Sequence, residues 1–255
     1  MVIPMTRTLK CPNCGCEENR HMATTPECKL GWYRCAGCDM VWNKDYNLRE
    51  YNEDYFTGCA GDYDDCRMKR VATGMRRVLI ARMVSKKGRL LDIGCSMGYF
   101  VEAAGKLGYD AEGVEISKYA AEYARKKGLK VNCGDALNLS YPDNTFSVVT
   151  YMNSLEHVGD LDKSLSEAYR VLAPGGCVMI VGPNANYWKM LTKQSYHGWE
   201  KPDHCVTFTY KFLRNYLTAR DFEIVNPPVY SFFRFLLNAI HLDKNVTVLA
   251  RKKAG

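Results

Sequence analysis

The stretch LLDIGCSMGYF at residues 90–100 places an apolar run, an acid and a loop with two glycines ahead of a second apolar run. This order is typical of a buried parallel strand that leads through a tight loop into a helix. Gly94 and Gly98 allow the backbone to pass close to a ligand at the carboxyl end of the strand, where open α/β sheets bind their ligands. The stretch therefore predicts an α/β fold with a nucleoside-sized ligand at this loop.

A second acid follows at the end of the next predicted strand, residues 111–115, after a helix over 100–107. Glu115 lies about twenty residues beyond the loop, where a carboxylate can accept hydrogen bonds from both ribose hydroxyls of a nucleoside. This pair fits nicotinamide dinucleotides as well as adenosyl cofactors. The dinucleotide fingerprint G-x-G-x-x-G needs a second glycine where Ser96 stands, which disfavours a dehydrogenase.

The rest of the chain continues the alternation of strands and helices. Strands are predicted at 130–132, 146–150, 177–181, 222–225 and 245–250, and the connections carry GDA at 134–136, NSLEHV at 153–158 and LAPGG at 172–176. From about residue 67 to the end, this order resembles the class I S-adenosylmethionine-dependent methyltransferases. The resemblance implies a seven-stranded, doubly wound Rossmann-like sheet that binds S-adenosylmethionine.

The resemblance also implies which residues contact the cofactor. They are Asp92, Gly94, Cys95, Gly98, Glu115, Ile116, Asp135, Ala136 and Asn153. In the family, the glycine loop holds the methionine part, the acid at Glu115 binds the ribose, and the Gly-Asp-Ala segment meets the adenine.

Methyl transfer to a hydroxyl needs an aligned acceptor, exclusion of water and a base. Histidine titrates near neutral pH, and two histidines are candidate catalytic residues: His157 in LEHV and His204 in PDHCVTFT. Both segments resemble the ubiquinone-type O-methyltransferases and related small-molecule and sugar methyltransferases. The alternative for each histidine is a structural role beside the cofactor. Some ubiquinone enzymes hold a divalent ion with an acid where Asn153 stands, and this difference disfavours a metal-assisted transfer.

Aromatic residues in two segments are candidate acceptor contacts. Tyr55 lies in an aromatic and acidic stretch, and Trp188 and Trp199 lie in a long loop after the fifth strand of the domain. Long loops at this edge of a sheet are often functional lids. Packing between domains, or simple anchoring of a surface loop, would explain the same residues.

Two C-x-x-C pairs near the amino terminus have twenty residues between them. The pairs are Cys11/Cys14 and Cys35/Cys38. Four thiolates complete a tetrahedral zinc site, and this spacing is typical of a zinc ribbon, a module too small to fold without the metal. Because four thiolates leave no open coordination position, we expect the zinc to be structural. Cys16, His21 and Cys28 are weaker candidate ligands.

The sequence predicts three regions: a zinc ribbon at 1–45, a connecting segment at 46–66 and the catalytic domain at 67–255. The absence of a run of 18 apolar residues argues against a membrane span. Twelve cysteines, several of them single within apolar segments, favour a reduced, cytoplasmic protein.

The net charge of +7 is concentrated in residues 67–89, which carry nine basic residues and no acid. Val71, Met75, Val78, Leu79 and Met83 predict the apolar face of an amphipathic helix there. Its basic face is either solvated or binds an anionic partner. Residues 1–50 carry seven basic and six acidic residues, a near-neutral balance that disfavours nucleic-acid binding by the ribbon.

The sequence thus predicts a methyltransferase that acts on a small-molecule or sugar-type acceptor, at oxygen. The alternative is an RNA base methyltransferase that docks RNA through the ribbon and the basic helix. Acceptor identity, acceptor atom and oligomeric state stay open.

Overall fold

A computed structural model describes residues 9–22, 30–58, 66–187, 200–225 and 244–253. Two candidate acceptor contacts, Trp188 and Trp199, lie outside the described residues, as does Cys28.

Strands and helices alternate through most of the described chain. The strands are β1 (Asn19–Met22), β2 (Trp32–Cys35), β3 (Val41–Asn43), β4 (Arg89–Ile93), β5 (Asp110–Glu115), β6 (Lys130–Cys133), β7 (Phe146–Met152), β8 (Leu172–Pro183), β9 (Val206–Thr207), β10 (Phe222–Ile224) and β11 (Asn245–Lys252). The helices are α1 (Glu53–Gly58), α2 (Arg67–Arg82), α3 (Tyr99–Lys106), α4 (Lys118–Lys126), α5 (Leu161–Val171) and α6 (Tyr210–Thr218), with a 3₁₀ turn at Leu155–His157.

Seven strands form the main sheet in the order β10-β11-β8-β7-β4-β5-β6. The five strands from β8 to β6 are parallel, and β11 and β10 are antiparallel to their neighbours. Leu90 and Leu91, on opposite faces of the central strand β4, are both fully buried, as expected for a parallel sheet covered by helices on both faces. The prediction of a seven-stranded Rossmann-like sheet is confirmed.

The residues before three of the helices on this sheet determine where those helices begin. Gly98, in the left-handed region at φ +79°, precedes α3, and a Cβ there would lie 2.7 Å from Leu129. Ser117 and Asp160 cap α4 and α5, because their side-chain oxygens accept backbone N–H groups of the first turn. These caps determine where α4 and α5 begin, after the carboxyl ends of β5 and β7.

The basic helix α2 packs against α3 through a narrower apolar face than the sequence predicted. Its buried residues are Val71, Gly74, Val78 and Ala81. A Cβ at Gly74 would lie 2.9 Å from Cβ of Ala103, so the two helices approach closely there. The prediction that Leu79 and Met83 belong to the buried face is wrong, since both are exposed. The close contact at Gly74 turns the helix so that positions 71, 74, 78 and 81 face inward.

A second, antiparallel sheet has the order β1-β2-β3-β9. Its first three strands come from the amino-terminal region, whereas β9 lies 163 residues after the end of β3. Val41 pairs with Thr207 and Trp42 with Val206. The cysteine-rich region therefore shares a sheet with the segment that leads into α6.

None of the helices in the described ranges combines the length and the apolar character that a membrane span requires.

Candidate active site

A cavity of about 660 Å³ opens at the carboxyl ends of the parallel strands. Its volume lies within the range of small-molecule sites in proteins. The predicted site residues on its wall are Tyr55, Gly94, Glu115, Ile116, Asp135, Ala136, Asn153, His157 and His204. The structure thus brings together residues that the sequence spreads over 150 positions.

The loop after β4 needs a glycine at position 94. Gly94 has φ +71°, and a Cβ there would lie 2.5 Å from Cβ of Ser154. Ser96 also adopts a left-handed conformation, at φ +52°. The Ser96 hydroxyl is buried and has no hydrogen-bond partner among the described residues, although Ser96 lines the cavity. A buried polar atom of this kind is expected where a ligand supplies the missing partner.

Glu115 ends β5 beside this loop. Its Oε2 accepts a hydrogen bond from the Ser96 backbone N–H at 2.7 Å, and its Oε1 accepts one from the Ser117 N–H at 2.9 Å. Burial raises the pKa of Glu115, and these N–H groups oppose that shift. Each carboxylate oxygen can accept a further hydrogen bond, so Glu115 can hold two vicinal hydroxyls.

The segment after β6 forms another part of the cavity wall. Asp135 Oδ1 accepts a hydrogen bond from the Leu137 N–H at 2.9 Å, which turns the chain at Ala136. Ile116, directly after Glu115, is 59% exposed. Ile116 and Ala136 both line the cavity, so its wall offers apolar groups for the face of a planar base.

Three predicted cofactor contacts lie behind the cavity wall. Asp92 is buried, accepts a hydrogen bond from the Thr150 hydroxyl at 2.7 Å, and has a pKa that burial raises to about 7. The Cys95 side chain packs on Gly113 and occupies the position that a Cβ there would need. Gly98 begins α3. In this structure the three residues shape the loop from behind rather than line the cavity.

The histidine end of the cavity contains a group of hydrogen-bonded side chains. Nδ1 of His157 lies 3.3 Å from Oδ2 of Asp203 and 3.1 Å from its carbonyl oxygen. The Tyr51 hydroxyl lies 3.0 Å from the same nitrogen and donates to Oδ2 of Asp203 at 3.2 Å. The ring of His204 meets the ring of His157 edge to face, with centroids 4.6 Å apart. Both predicted catalytic histidines therefore occupy one corner.

Charge and burial set the protonation of this corner. Burial alone would raise the pKa of Asp203, but the hydrogen bond from His157 and the nearby imidazole charges hold it well below its usual value. Burial would lower the pKa of His157, and the Asp203 carboxylate with the charge of Glu156 outweighs it and raises that pKa. Because Nδ1 faces Asp203, Nε2 is the nitrogen of His157 left for a ligand.

Glu156 places a further polar group at the same corner. It is buried, lines the cavity, and its Oε2 has no hydrogen-bond partner among the described residues. Burial raises its pKa. Ligand atoms of Glu156, His157 and His204 lie within 4.8 Å of one another, so the three could also hold a cation. The corner can accept a proton from, or hydrogen-bond to, a polar group of a bound molecule.

Sequence reasoning missed several cavity residues, among them Tyr51 and Arg70. Tyr51 belongs to the aromatic segment 46–58, where Tyr55 was singled out instead. Arg70, one of the nine basic residues of 67–89, lies on the cavity wall, with its guanidinium carbon 5.9 Å from the Tyr99 ring centroid. Tyr99 follows Gly98, so Arg70 lies near the glycine loop and suits a carboxylate there. The positive charge of α2 was the available signal.

A separate candidate metal centre lies in the small sheet. Thiol sulfurs of Cys11, Cys14, Cys35 and Cys38 lie within 4.8 Å of one another. The sulfurs of Cys11 and Cys38 are 3.6 Å apart, and those of Cys14 and Cys35 are 3.5 Å apart. Tetrahedral zinc with its usual bond length would hold two sulfurs about 3.8 Å apart. The donor set and the spacing fit this metal.

The two C-x-x-C pairs have matching backbones, with Gly15 and Asp39 in left-handed conformations directly after each pair. Burial raises the pKa of the Cys11 thiol. Although burial acts in the same direction on Cys35, hydrogen bonds led by the Cys38 N–H lower its pKa to about 7. Cys16 and His21 are not among the clustered ligands; the His21 ring packs against Tyr33 instead.

Residues 68–226 match the family model described as a methyltransferase domain. Norajmaline N-methyltransferase of Rauvolfia serpentina is 39% identical over 107 residues, which cover 38% of this chain and 37% of that enzyme. The ubiquinone biosynthesis O-methyltransferase of Methylococcus capsulatus is 37% identical over 113 residues, 41% of this chain and 47% of that enzyme. The match spans less than two thirds of these relatives' length.

Solved structures show the same fold at low sequence identity. A SAM-dependent methyltransferase from Archaeoglobus fulgidus superimposes with a TM-score of 0.58 and 19% identity, over 78% of this chain and 97% of that one. An S-adenosylmethionine-dependent methyltransferase from Mesorhizobium loti gives a TM-score of 0.53 and 18% identity, over 71% of this chain and 99% of that one.

Proposed function

Since this chain belongs to the class I S-adenosylmethionine-dependent methyltransferases, we propose that it transfers the methyl group of S-adenosylmethionine to a small-molecule or sugar-type acceptor, at oxygen. The observation that carries the cofactor assignment is the position of Glu115, beside the glycine loop on the wall of a 660 Å³ cavity. The unpartnered Ser96 hydroxyl at the same loop fits a ligand that hydrogen-bonds there.

Each part of the cofactor has residues suited to it. Glu115 would hold the ribose hydroxyls, while Ile116 and Ala136 would flank the adenine. The Asp135 carboxylate would accept a hydrogen bond from the adenine amino group. Gly94 brings the backbone of the loop close to the methionine part, and Arg70 supplies a cation for the methionine carboxylate. When bound, S-adenosylmethionine supplies an electrophilic methyl group on sulfur.

The histidine corner would prepare the acceptor. Asp203 and Tyr51 orient His157, and His157 or His204 would take the proton from an acceptor hydroxyl. Glu156 would hydrogen-bond a second polar group of the acceptor through its unpartnered Oε2. These groups together favour an acceptor with at least two hydrogen-bonding groups. Tyr55, with Trp188 and Trp199, is proposed to exclude water over it.

The acceptor class is supported by relatives that act on small molecules, one at nitrogen and one at oxygen. The basic helix α2 favours the RNA alternative, since Arg76 and Arg82 are exposed on it. The buried, hydrogen-bonded character of the histidine corner favours a small acceptor over a nucleic acid.

The four-cysteine centre is proposed to bind structural Zn²⁺. We propose three regions: a ribbon at 1–45, a connecting segment at 46–66 and a catalytic domain at 67–255. The sheet of the ribbon takes its fourth strand, β9, from the catalytic domain. Thiolate ligands need a reducing environment, which accords with the proposed cytoplasmic location.

Two measurements test this function. Isothermal titration with S-adenosylhomocysteine should show binding, and absence of binding by the purified protein would remove the cofactor assignment. Methyl-tritiated S-adenosylmethionine is then incubated with the enzyme and either a small-molecule extract or total RNA. We expect label in the small-molecule fraction; label confined to acid-precipitable RNA would establish the alternative.

A further inference from the structure

The four-cysteine centre and the histidine corner are joined by a short, continuous path of backbone. Cys38 lies three residues before β3, and His204 lies two residues before β9. β3 and β9 are antiparallel neighbours in the small sheet, with Trp42 opposite Val206. Only a few residues therefore separate the metal ligands from a residue on the cavity wall.

Asn43, at the end of β3, is hydrogen-bonded directly to residues 203–212, here called the histidine segment. Its backbone N–H donates to the carbonyl oxygen of Cys205 at 2.9 Å, and its side-chain amide donates to the carbonyl oxygen of His204 at 3.3 Å. Asn43 is 1% exposed. Buried carbonyl groups need partners, so the two carbonyls depend on the position of β3.

Asp39, directly after Cys38, is hydrogen-bonded to Thr209, nearer the carboxyl end of the histidine segment. Its backbone N–H donates to the carbonyl of Cys35, and its carboxylate accepts a hydrogen bond from the Thr209 hydroxyl at 2.7 Å. The same Thr209 hydroxyl oxygen caps α6 by accepting the Phe212 N–H at 3.0 Å. The second cysteine pair thus fixes the start of α6.

Apolar packing joins the same two regions. Cys11, Cys35, Met40 and Trp42 belong to one buried cluster with Cys205, Val206, Phe208 and Phe212. The same cluster also reaches Leu91, Ile93 and Val114 of β4 and β5, but β4, β5 and β6 do not pair with β1, β2 or β3. The strand pairing and the hydrogen bonds of Asn43 and Asp39 therefore connect the cysteine centre to the acceptor side of the cavity through β9.

We propose that metal binding at the four cysteines orders residues 203–212 and thereby positions His204 and the Asp203–His157 pair for the acceptor. The inference rests on the structural Zn²⁺ of the proposed function and extends it. A four-thiolate metal contributes the folding free energy that a module of this size lacks. Without the metal, β3 loses its support. The hydrogen bonds that Asn43 donates to the histidine segment, and the one that Asp39 accepts from Thr209, then weaken while the cofactor end stays folded.

The first experiment compares the protein before and after chelation. Metal content is measured first, and the chelated protein is then reloaded with Zn²⁺ alone. Hydrogen exchange of residues 203–212 should accelerate at least tenfold on metal removal and recover on reloading. Exchange of residues 90–116 and the dissociation constant for S-adenosylhomocysteine should change less than threefold. These readouts contain no turnover, so they do not depend on the acceptor proposal.

Three outcomes would overturn the inference, and they differ from one another. A protein that holds no metal and takes up no Zn²⁺ removes its premise. Unchanged protection of residues 203–212 in the metal-free protein removes the coupling. Loss of S-adenosylhomocysteine binding together with that protection shows collapse of the whole fold, so the effect would not be confined to the acceptor side.

A variant that keeps all four cysteines provides a second test. Asn43→Ala should retain full metal content, accelerate exchange of residues 203–208 several-fold and shift the ring proton resonances of His204. Asn132→Ala is the matched control, since Asn132 lies on β6 of the main sheet and its amide donates to the Tyr141 hydroxyl, away from the cysteine centre. Protection and His204 resonances unchanged in Asn43→Ala would refute the coupling.

Discussion

The Tyr51 hydroxyl lies 3.0 Å from Nδ1 of His157, although the two residues are 106 positions apart in the sequence. The same hydroxyl donates to Asp203. A residue of the connecting segment therefore completes the hydrogen bonds around a candidate catalytic histidine. This contact makes the segment a part of the site rather than a linker.

Removal of the Asp203 charge should lower the pKa of His157. Burial disfavours the imidazolium, and Asp203 is the main group that outweighs burial. We therefore expect Asp203→Asn to bring the pKa of His157 from above its ordinary value to below it. Proton NMR titration of the imidazole resonances measures this, with His21 as an internal reference outside the site. An unchanged midpoint for His157 would show that Asp203 does not set its protonation.

The same substitution should change stability in a pH-dependent way. Because the folded pKa of His157 is raised, its stabilising contribution is fully present below the unfolded pKa of about 6.5 and is lost as pH rises through the folded value. Asp203→Asn should thus cost about 1–3 kcal/mol near pH 6 and less near pH 9. Urea denaturation at both pH values checks this, and equal costs would contradict it.

Glu115 should account for much of the cofactor affinity. Glu115→Gln keeps the shape of the side chain but loses one acceptor oxygen and the negative charge. We expect S-adenosylhomocysteine to bind at least tenfold more weakly, a loss of about 1.4 kcal/mol or more. Glu112→Gln is the matched control, since Glu112 lies on the same strand and pairs with Arg89 away from the cavity. Equal affinities of the two variants in isothermal titration would exclude a ribose contact by Glu115.

The position of Gly94 permits a test that separates backbone strain from steric overlap. Gly94 and Gly175 have similar φ values, +71° and +73°, but a Cβ at Gly175 meets no atom within 4 Å. Gly175→Ala should cost only the left-handed penalty of about 1–2 kcal/mol. Gly94→Ala should cost more, because Ser154 must move and its hydroxyl donates to the Ile93 carbonyl.

Chemical denaturation of both variants measures this difference, and S-adenosylhomocysteine titration should show weaker binding only for Gly94→Ala. Equal destabilisation of the two variants would mean that Ser154 moves at little cost in free energy. The close approach of Ser154 to Gly94 would then have no functional importance.

Local patterns predicted the parts of the site that adjacent residues encode. The strand, the glycine loop and the spaced acid at Glu115 follow from apolar runs and turn residues, which act over short distances along the chain. The four cysteines were likewise predicted from spacing alone, and they cluster in the structure.

Long-range contacts were not predictable from those patterns. The pairing of Trp42 with Val206 joins segments 164 residues apart, and a two-residue strand carries almost no periodic signal. Tyr51 gave no sign that it would meet His157, because aromatic residues in a connecting segment pack in many ways. Asp92 was expected to contact the cofactor, but its direction depends on Thr150 of β7, a strand far along the chain. Tertiary packing decided each of these cases.

Asp92 gives the last prediction, which concerns stability and pH. Burial raises the pKa of Asp92 to about 7, above the unfolded value of 3.8. The folded state therefore binds the proton more tightly, and stability falls as pH rises from about 4 to about 7, after which the cost is constant. Asp92→Asn removes the ionisable group and keeps an oxygen for the Thr150 hydroxyl. The variant should be more stable than the wild type at pH 8, by an amount on the order of a few kcal/mol, and the gain should shrink at pH 5.

Asp110→Asn is the control of opposite sign. Asp110 is half-exposed, and its hydrogen bond with Lys130 lowers its pKa. Loss of the Asp110 carboxylate should therefore slightly destabilise the protein at pH 8. Since Asp92 lies behind the cavity wall, Asp92→Asn should bind S-adenosylhomocysteine within threefold of the wild type. Loss of binding without loss of stability would instead place Asp92 in direct contact with the cofactor.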